Sequence, residues 1–540
     1  MILILILFDQ GRKKNTKNKI VGIFMCILLI ATTIPVVVSL KNGAINSTIP
    51  STSLMSKAAN WTEMQKLLAT DGAVNLYFGG SVSLDGDTAL IGDCEDNDNG
   101  EISGSAYVFT RTGTTWTQQA KLLPSGGKTC DYFGYSVSLS GDTALIGASG
   151  NIWSLLDYPG FAYVFTRTGT TWTQQAKLFA SDGASLDWFG YSVSLSGDTA
   201  LIGTPKDDNN GGDSGSAYIF TRNGTTWTQQ QKLLASDGEV WDFFGGSVSL
   251  SGDTALIGAS YDNDNGDASG SAYVFTRTGT TWTQQAKLLA SDGATQDYFG
   301  YAVSLDGDTA FIGAEGDDDN GVDSGSAYVF TRTGTTWTQQ QKLAASDGAA
   351  GDIFGYSVSF DGDTALIGAV WDANKGPDAG SAYVFTRTDT TWTQQQKLTA
   401  SDGAIGDEFG VSVSLSGDTA LIGADGDDDN GENSGSVYVF TKGGLGIDII
   451  GGLGINVVIT NNNETVPITT INWEITVKGG FLGMISKTTK GTIDVIEPES
   501  SETVGTGQLF GLGLIVIIVK VIDVEKIVEG TQFIIFSRVK

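Results

Sequence analysis

Residues 299–343 have the sequence FGYAVSLDGDTAFIGAEGDDDNGVDSGSAYVFTRTGTTWTQQQKL, which contains four short segments with strand character. The segments are separated by turn-forming residues, and Asp306-Gly307-Asp308 is typical of a hairpin. We predict four strands, called A to D, at Tyr301–Leu305, Thr309–Ile312, Ser326–Thr331 and Thr336–Leu343. Strand C is apolar on both faces and is therefore expected to be buried on both.

This unit occurs seven times, with tryptophans spaced 55 or 56 residues apart. The tryptophans are Trp61, Trp116, Trp172, Trp227, Trp282, Trp337 and Trp392, and the Phe-Gly pairs begin at Phe78, Phe133, Phe189, Phe244, Phe299, Phe354 and Phe409. Periods of this length with four strands are typical of propeller blades. The sequence predicts an all-β fold with a seven-bladed β-propeller over 61–442. An open solenoid is the alternative.

The two ends of the repeat region complete each other. The region begins with a D-type strand, Trp61–Leu68, and ends after a C-type strand, Val437–Thr441. We expect the first strand to pair with the last blade and to close the ring without a covalent link, which removes both free edges.

The repeated Phe-Gly, Ile-Gly-Ala and Gly-Ser-Ala-Tyr-Val-Phe motifs resemble the FG-GAP repeat. The segment most similar to the Gly-Ala-Pro part of that motif is Ile202-Gly203-Thr204-Pro205. This is the blade unit of integrin α-subunit propellers and of many prokaryotic surface proteins. The resemblance implies a propeller that serves in adhesion or binding and, less often, as part of an enzyme.

The charge of the chain lies in this repeat region. The net charge is −30, and residues 61–442 hold 50 acidic residues against 17 Lys and Arg. Such an acidic chain is not expected to bind nucleic acid, because proteins bind the phosphate backbone through clustered Lys and Arg. The chain contains no histidine, which excludes His-dependent nucleophilic triads, His-ligated zinc or haem, and imidazole pH switches.

Blade connectivity predicts two different faces. The B–C and D–A connections emerge on one face and are acidic, whereas the C–D turns on the other face carry Arg111, Arg167, Arg222, Arg277, Arg332 and Arg387. An acidic face attracts cations and basic partners.

Calcium is the natural ion for the B–C loops, because it takes carboxylate, amide and carbonyl oxygens. The candidate ligands are Asp207, Asn209, Asp213, Asp262, Asp264, Asp317, Asp319, Asp323, Asp372, Asn374, Asp378, Asp427, Asp429 and Asn433. The glycine falls one position earlier than in an EF-hand loop, and calcium loops of the resembled family lie in the A–B segment instead. Solvated loops that bind no metal are the alternative.

Three other features invite a functional interpretation. The second unit has an apolar B–C loop, Ala148–Pro159, which predicts either a contact site or packing against a neighbour. Cys94 and Cys130 fall on one face of adjacent blades, so that they form a disulfide or remain free thiols. The tryptophans suggest sugar binding, but Trp116, Gln118, Ala120 and Leu122 are expected to share one strand face that packs on the next blade.

The two termini differ from the repeats. Residues 1–41 contain a basic flank followed by an apolar run, Ile20 to Leu40, which predicts a signal sequence or, in preference, an uncleaved membrane anchor with the rest of the chain outside. Residues 42–60 are assigned as a linker. Residues 443–540 contain alternating apolar runs that predict a small immunoglobulin-like β-sandwich.

These observations favour an extracellular or cell-surface binding or adhesion module that is not an enzyme, with a protein or glycan ligand and with calcium as the candidate cofactor. A structural component of the cell envelope is the first alternative. A surface enzyme with the propeller as scaffold is the second, since paired carboxylates alone can perform acid–base chemistry.

Overall fold

The computed structural model describes residues 61–150 and 159–443, together with seven strands within 445–528. Every regular element among these residues is a β-strand, and none of them forms a helix that is long and apolar enough to cross a membrane. The predicted signal or anchor segment (1–41) and linker (42–60) lie outside the described residues.

The repeat region forms seven four-stranded antiparallel sheets, which we number as blades in chain order. Blade 1 contains β2 (Val82–Asp85), β3 (Thr88–Asp93), β4 (Ser105–Thr112) and β5 (Thr115–Leu122). Blade 2 contains β6 (Phe133–Ser140), β7 (Thr143–Ala148), β8 (Phe161–Thr168) and β9 (Thr171–Leu178). Blade 3 contains β10 (Ser192–Ser196), β11 (Thr199–Thr204), β12 (Ser216–Asn223) and β13 (Thr226–Leu233).

The next three blades repeat this order. Blade 4 contains β14 (Val248–Ser251), β15 (Thr254–Ala259), β16 (Ser271–Thr278) and β17 (Thr281–Leu288). Blade 5 contains β18 (Val303–Asp306), β19 (Thr309–Ala314), β20 (Ser326–Thr333) and β21 (Thr336–Leu343). Blade 6 contains β22 (Phe354–Asp361), β23 (Thr364–Ala369), β24 (Ser381–Thr388) and β25 (Thr391–Leu398).

Blade 7 joins the two ends of the repeat region. Its strands are β26 (Val413–Ser416), β27 (Thr419–Ala424), β28 (Ser436–Lys442) and β1 (Trp61–Leu67). β1 pairs antiparallel with β28 from Trp61↔Lys442 to Leu67↔Val437. The predicted closure of the ring is therefore confirmed, because β1 covers the edge of β28 that would otherwise be unpaired.

Glycines let neighbouring blades approach each other closely around the ring. A Cβ at Gly423 of blade 7 would collide with the carbonyl oxygen of Gly79, in the Phe-Gly pair of blade 1. The same relationship joins Gly313 to Gly355 and Gly368 to Gly410. The glycines of the Phe-Gly and Ile-Gly motifs are thus required because backbone meets backbone between blades.

A β-bulge corrects one prediction. In blade 1 the register between β4 and β5 shifts between Val108 and Phe109, so Gln119 has no partner. Because the extra residue reverses the alternation, Trp116 packs with blade 7 residues such as Val437, whereas Leu122 packs with Phe133 of blade 2. The expectation that Trp116, Gln118, Ala120 and Leu122 share one face is wrong. Trp116 and Gln118 lie on one face of the strand, and Ala120 and Leu122 lie on the other.

The C-terminal residues contain two further sheets. Their strands are β29 (Leu445–Gly451), β30 (Gly454–Asn461), β31 (Ile468–Gly479), β32 (Ile485–Ile496), β33 (Ser501–Gln508), β34 (Ile515–Val521) and β35 (Val524–Val528). One sheet has the order β29-β30-β33 and the other the order β32-β31-β34-β35. The immunoglobulin-like sandwich stays a prediction.

Candidate cation-binding and docking face

Contacts between the connections define two faces of the propeller. The B–C and D–A connections meet on one face, which we call the loop face: the Gly351 amide in the D–A connection donates to the Val322 carbonyl in the B–C loop at 2.8 Å. The A–B and C–D turns meet on the other, which we call the turn face. The predicted arrangement of connections is confirmed.

A lysine lies among the acidic residues of the loop face. In blade 5, Nζ of Lys342 on β21 is 2.9 Å from Oδ2 of Asp292, 2.6 Å from Oδ2 of Asp317 and 2.6 Å from Oδ2 of Asp319. Oη of Tyr328 on β20 lies 3.1 Å from Oδ1 of Asp292 and 3.0 Å from Oδ2 of Asp317, so that these two carboxylates share its one hydrogen. Each carboxylate of this group is therefore held by charge-assisted hydrogen bonds.

The arrangement recurs around the ring. Three carboxylates surround Lys66 (Asp402, Asp427, Asp429), Lys121 (Asp71, Asp96, Asp98) and Lys287 (Asp237, Asp262, Asp264), and two surround Lys232 (Asp182, Asp207) and Lys397 (Asp347, Asp372). A group of three aspartates and one lysine still has a net charge of −2 when all are ionised. The loop face is therefore less negative than its carboxylate count implies, but it remains acidic.

The ion pairs shift the protonation of these groups. Burial by itself would raise the pKa of Asp292, but the hydrogen bond and charge of Lys342 hold that pKa below its usual range. Burial would likewise lower the pKa of Lys342, but hydrogen bonds to Asp317 and Asp319 raise it above its usual range. Both partners stay charged at neutral pH.

The structure divides the predicted calcium ligands into two sets. The first-position residues Asp207, Asp262, Asp317, Asp372 and Asp427 contact the lysines, and so do Asp264, Asp319 and Asp429 at the third position. The third-position amides Asn209 and Asn374 donate their backbone N–H groups to Asp207 and Asp372.

The last-position residues Asp213, Asp323, Asp378 and Asn433 have positive φ angles. The backbone N–H of Asp323 donates to Oδ1 of Asp318 at 2.8 Å, and Asp213 and Asn433 make the corresponding bond. None of these four belongs to a group of three close carboxylates among the described residues. Their side chains are not brought to the lysine group.

Sequence reasoning assigned the aspartate of the D–A connection to the acidic face but not to the ligands, and it missed two further contributors. The three contributors are exemplified by Asp292 of the D–A connection, Tyr328 of strand C and Lys342 of strand D. A usable signal was present, because all three recur with the period of the repeat. The acidic loop was interpreted without the neighbouring strand that completes it.

Two groups of aspartates lie close enough together to hold a metal ion. They are Asp71, Asp96 and Asp98 in blade 1, and Asp292, Asp317 and Asp319 in blade 5, each with carboxylate oxygens within 4.8 Å of one another. Their oxygens suit a hard cation such as calcium. An ion at either position competes with the ammonium group of Lys121 or Lys342.

Each arginine of the turn face is paired with an aspartate. Nε of Arg332 donates to Asp308 in the A–B turn at 2.6 Å, and Nη1 donates to Thr254 of blade 4 at 3.1 Å. The same guanidinium lies 5.2 Å from the ring centre of Trp337, a cation–π distance. Equivalent Arg–Asp pairs occur at Arg111, Arg167, Arg222, Arg277 and Arg387.

The tryptophans of strand D are structural. Trp61, Trp116, Trp282 and Trp392 are at most 3% exposed. Nε1 of Trp337 donates to Oε1 of Gln285 in blade 4 at 3.0 Å, so this side chain also links neighbouring blades. The packing interpretation is therefore confirmed over sugar binding for these residues.

Two carboxyl groups at the start of B–C loops have raised pKa values. Burial raises the pKa of Glu315 to about 8. Burial, together with the charge of Glu408, raises the pKa of Asp425 to about 7. Burial, together with the charges of both residues, raises the pKa of Tyr356. The two carboxyl groups change charge close to neutral pH.

The exposed apolar side chains of the propeller also gather on the loop face. Ten large hydrophobic residues are exposed among the described residues, and nine of them lie in B–C or D–A connections. The nine are Val74, Phe179, Leu186, Val240, Trp241, Tyr261, Val322, Trp371 and Ile405. The exception is Met64 on β1. The acidic face is therefore also the apolar face.

Blade 2 departs from this pattern. Phe161 replaces the serine that begins strand C in the other blades, and Nζ of Lys177 lies 3.3 Å from its ring centre. Residues 151–158 of the apolar loop lie outside the described residues, so its contact role stays a prediction. Cys94 and Cys130 are free thiols in the structure, and both act on the pKa of Tyr132. Their disulfide also stays a prediction.

The chain matches the FG-GAP repeat family at residues 61–109, 116–165, 172–220, 227–275, 282–330, 337–385 and 392–440. These segments cover more than half of the sequence. The protein belongs to the FG-GAP repeat family. Each matched segment of this FG-GAP protein starts in strand D of one blade and ends in strand C of the next. No curated protein matches the chain.

Proposed function

We propose that this FG-GAP protein is a non-enzymatic binding or adhesion module, located outside the cell or at its surface, which docks a protein or glycan ligand on the loop face. The observation that carries the proposal is the concentration of nine exposed large hydrophobic side chains on that face. Exposed apolar patches with polar surroundings are typical of interaction sites.

The charge of the loop face favours a partner with basic groups. Most lysines of this face are already bound to aspartates, as Lys342 is, and the groups of three aspartates keep a negative excess. Complementary charge raises the rate of encounter and restricts partner choice. Trp241 and Trp371, 64% and 48% exposed, are the side chains best suited to anchor a ligand.

The repeated character of the acidic groups supports binding over catalysis. Asp317 and its equivalents in other blades each have an ammonium partner within 2.5–2.7 Å. A carboxylate that is held in an ion pair in this way is a poor general acid or base, because its oxygens are already engaged by the ammonium group. Enzymes instead place one reactive pair in one pocket.

Calcium dependence is the second part of the proposal, and the blade 5 group supports it best. Asp292, Asp317 and Asp319 supply three carboxylates against the single charge of Lys342. A divalent cation neutralises the remaining charge, and the lysine side chain, which reaches the surface, can turn toward solvent to admit it.

The docking proposal is tested on arrays of glycans and of cell-surface proteins, with the full chain as probe. We expect Trp241→Ser and Trp371→Ser to weaken capture by about ten-fold or more, which is typical of an aromatic anchor. Met64→Ser is the matched control, because Met64 is 42% exposed but lies on strand β1. Equal capture by all three variants would contradict the proposal.

The location is tested separately. Amine-reactive reagents that do not cross membranes are applied to intact cells that produce the full chain. We expect the propeller lysines to be labelled without lysis. Labelling that requires lysis would contradict a surface location.

A further inference from the structure

Blade 1 has a buried carboxyl group at a position where no other blade has an acidic residue. Asp93 occupies the third position of the Ile-Gly-x step, where the other blades have Ala148, Thr204, Ala259, Ala314, Ala369 and Ala424. Asp93 is 0% exposed, and neither of its carboxylate oxygens has a hydrogen-bond partner among the described residues. Burying a carboxyl group in this way is costly unless another group compensates it.

A second unpartnered oxygen lies opposite Asp93. Asp93 pairs with Ser105 across strands β3 and β4, and Oγ of Ser105 is also buried without a hydrogen-bond partner among the described residues. Two residues further on β4, Oη of Tyr107 donates to Asp71 at 2.9 Å and to Asp96 at 3.2 Å. The unpartnered oxygens therefore adjoin the blade 1 carboxylate group.

Asp93 belongs electrostatically to that group. Burial raises the pKa of Asp93, the charges of Asp96 and Asp71 raise it further, and the charge of Lys121 opposes them. Asp71, Asp96 and Asp98 already have carboxylate oxygens within 4.8 Å of one another. Blade 1 and blade 5 thus each place three carboxylates around one lysine, and blade 1 adds the buried carboxyl group of Asp93 beside them.

We propose that blade 1 holds a divalent-cation site in which Asp93, Asp96 and Asp71 supply carboxylate oxygens and Ser105 its hydroxyl oxygen. Calcium fits this set, because it accepts six to eight hard oxygen ligands in flexible geometry. The cation takes the position of the Lys121 ammonium group, which turns toward solvent. This inference rests on the calcium part of the proposed function and names the blade with the tightest site.

The experiment is a calorimetric calcium titration of the metal-free full chain near neutral pH. We expect one site that is tighter than the others, and we expect Asp93→Ala to weaken it by about ten-fold or more, as loss of a ligating group does. The substitution restores the alanine that five other blades have. Asp93→Asn, which preserves the volume, should weaken the site in the same way.

A gain-of-site variant provides the matched test. Ala314→Asp places the same carboxyl beneath Asp292, Asp317 and Asp319 of blade 5, so a second tight site is expected. Unchanged calcium binding by Asp93→Ala and Asp93→Asn overturns the proposal, and so does the absence of a gain in Ala314→Asp while its circular dichroism spectrum stays native.

Failure of this inference is distinguishable from failure of the proposed function. Ligand capture by the loop face is measured on the same Asp93→Ala protein with and without a chelator. Lost tight calcium binding with retained capture supports the blade 1 site and a metal-independent docking face. Retained tight calcium binding overturns the blade 1 site whatever the capture result.

Discussion

The backbone N–H of Trp61 donates a 2.7 Å hydrogen bond to Oε1 of Gln396, a residue 335 positions away in the sequence. Nε2 of Gln396 donates back to the carbonyl oxygen of Trp61 at 2.8 Å. The same reciprocal pair joins Gln231 to Trp282 between blades 3 and 4. The non-covalent closure of the ring therefore has the same interblade hydrogen bonds as a junction within the continuous chain.

Gln396→Ala removes both bonds at the closure. We expect the free energy of unfolding to fall by about 1–3 kcal/mol, because the partly buried backbone groups of Trp61 lose their partners. Urea unfolding measures the loss, and Gln231→Ala is the matched control with an equal expected effect. A loss in Gln231→Ala alone would show that the closure contributes little.

Lys342→Met removes the counter-charge from Asp292, Asp317 and Asp319. Without metal we expect the free energy of unfolding to fall by about 1–3 kcal/mol, less than for a fully buried ion pair because the side chains of Asp292 and Asp319 are 45% and 67% exposed. With millimolar calcium the thermal midpoint should rise again, and more than in the wild type, because a native-state ligand stabilises by mass action. Lys375→Met, at an exposed loop lysine, should show neither effect.

Asp297→Asn tests the pH dependence of stability. Burial raises the pKa of Asp297 to about 6, although its carboxylate accepts a 2.7 Å hydrogen bond from the Ala294 amide. Because the folded pKa lies above the unfolded value of about 3.9, the stabilising contribution is complete below that value and is lost as pH rises through about 6.

The Asn variant imitates the protonated side chain. We therefore expect it to be more stable than the wild type by about 1–2 kcal/mol above pH 7 and equal to it near pH 4, as measured by chemical unfolding. Asp306→Asn, at an exposed turn residue, is the control. The same difference at both pH values would contradict the assignment.

Gly313→Ala tests the contact between backbones of neighbouring blades. The added Cβ would collide with the carbonyl oxygen of Gly355, so we expect blades 5 and 6 to separate locally at a cost of about 3 kcal/mol or more. Gly307→Ala is the control: its φ is +54° with no atom near the new Cβ, and it should cost about 1–2 kcal/mol. Thermal unfolding that ranks the two variants in reverse order would contradict the argument.

The propeller could be predicted because the same weak sequence motifs recur in seven units. Phe299, Gly313 and Trp337 are each ambiguous alone, but their equivalents recur at one spacing and so define blade, turn and closure. The bulge at Gln119 could not be foreseen, because the alternation of Trp116 and Leu122 fits either a regular strand or an interrupted one. Only the pairing with β4 decides between them.

Only the loop residues of the site could be predicted, because the other contributors become neighbours through strand pairing. Asp317 and Asp319 were recognised as a pair with ligand character, but Lys342 lies 23 residues beyond Asp319 and becomes a neighbour only through the pairing of β20 with β21. Asp93 escaped notice because it occurs once, and a search for repeated residues passes over a single exception.

The offset between the sequence repeat and the blade has a consequence for how such rings change size. Because each matched segment contributes strand D to one blade and strands A to C to the next, no cut between segments separates a complete blade. Duplication or loss of one segment during gene recombination would therefore yield a chain with one blade more or fewer and the same interlocked seam. The number of blades can therefore change by one at a time, and every resulting chain still has a first strand D that pairs with the incomplete last blade.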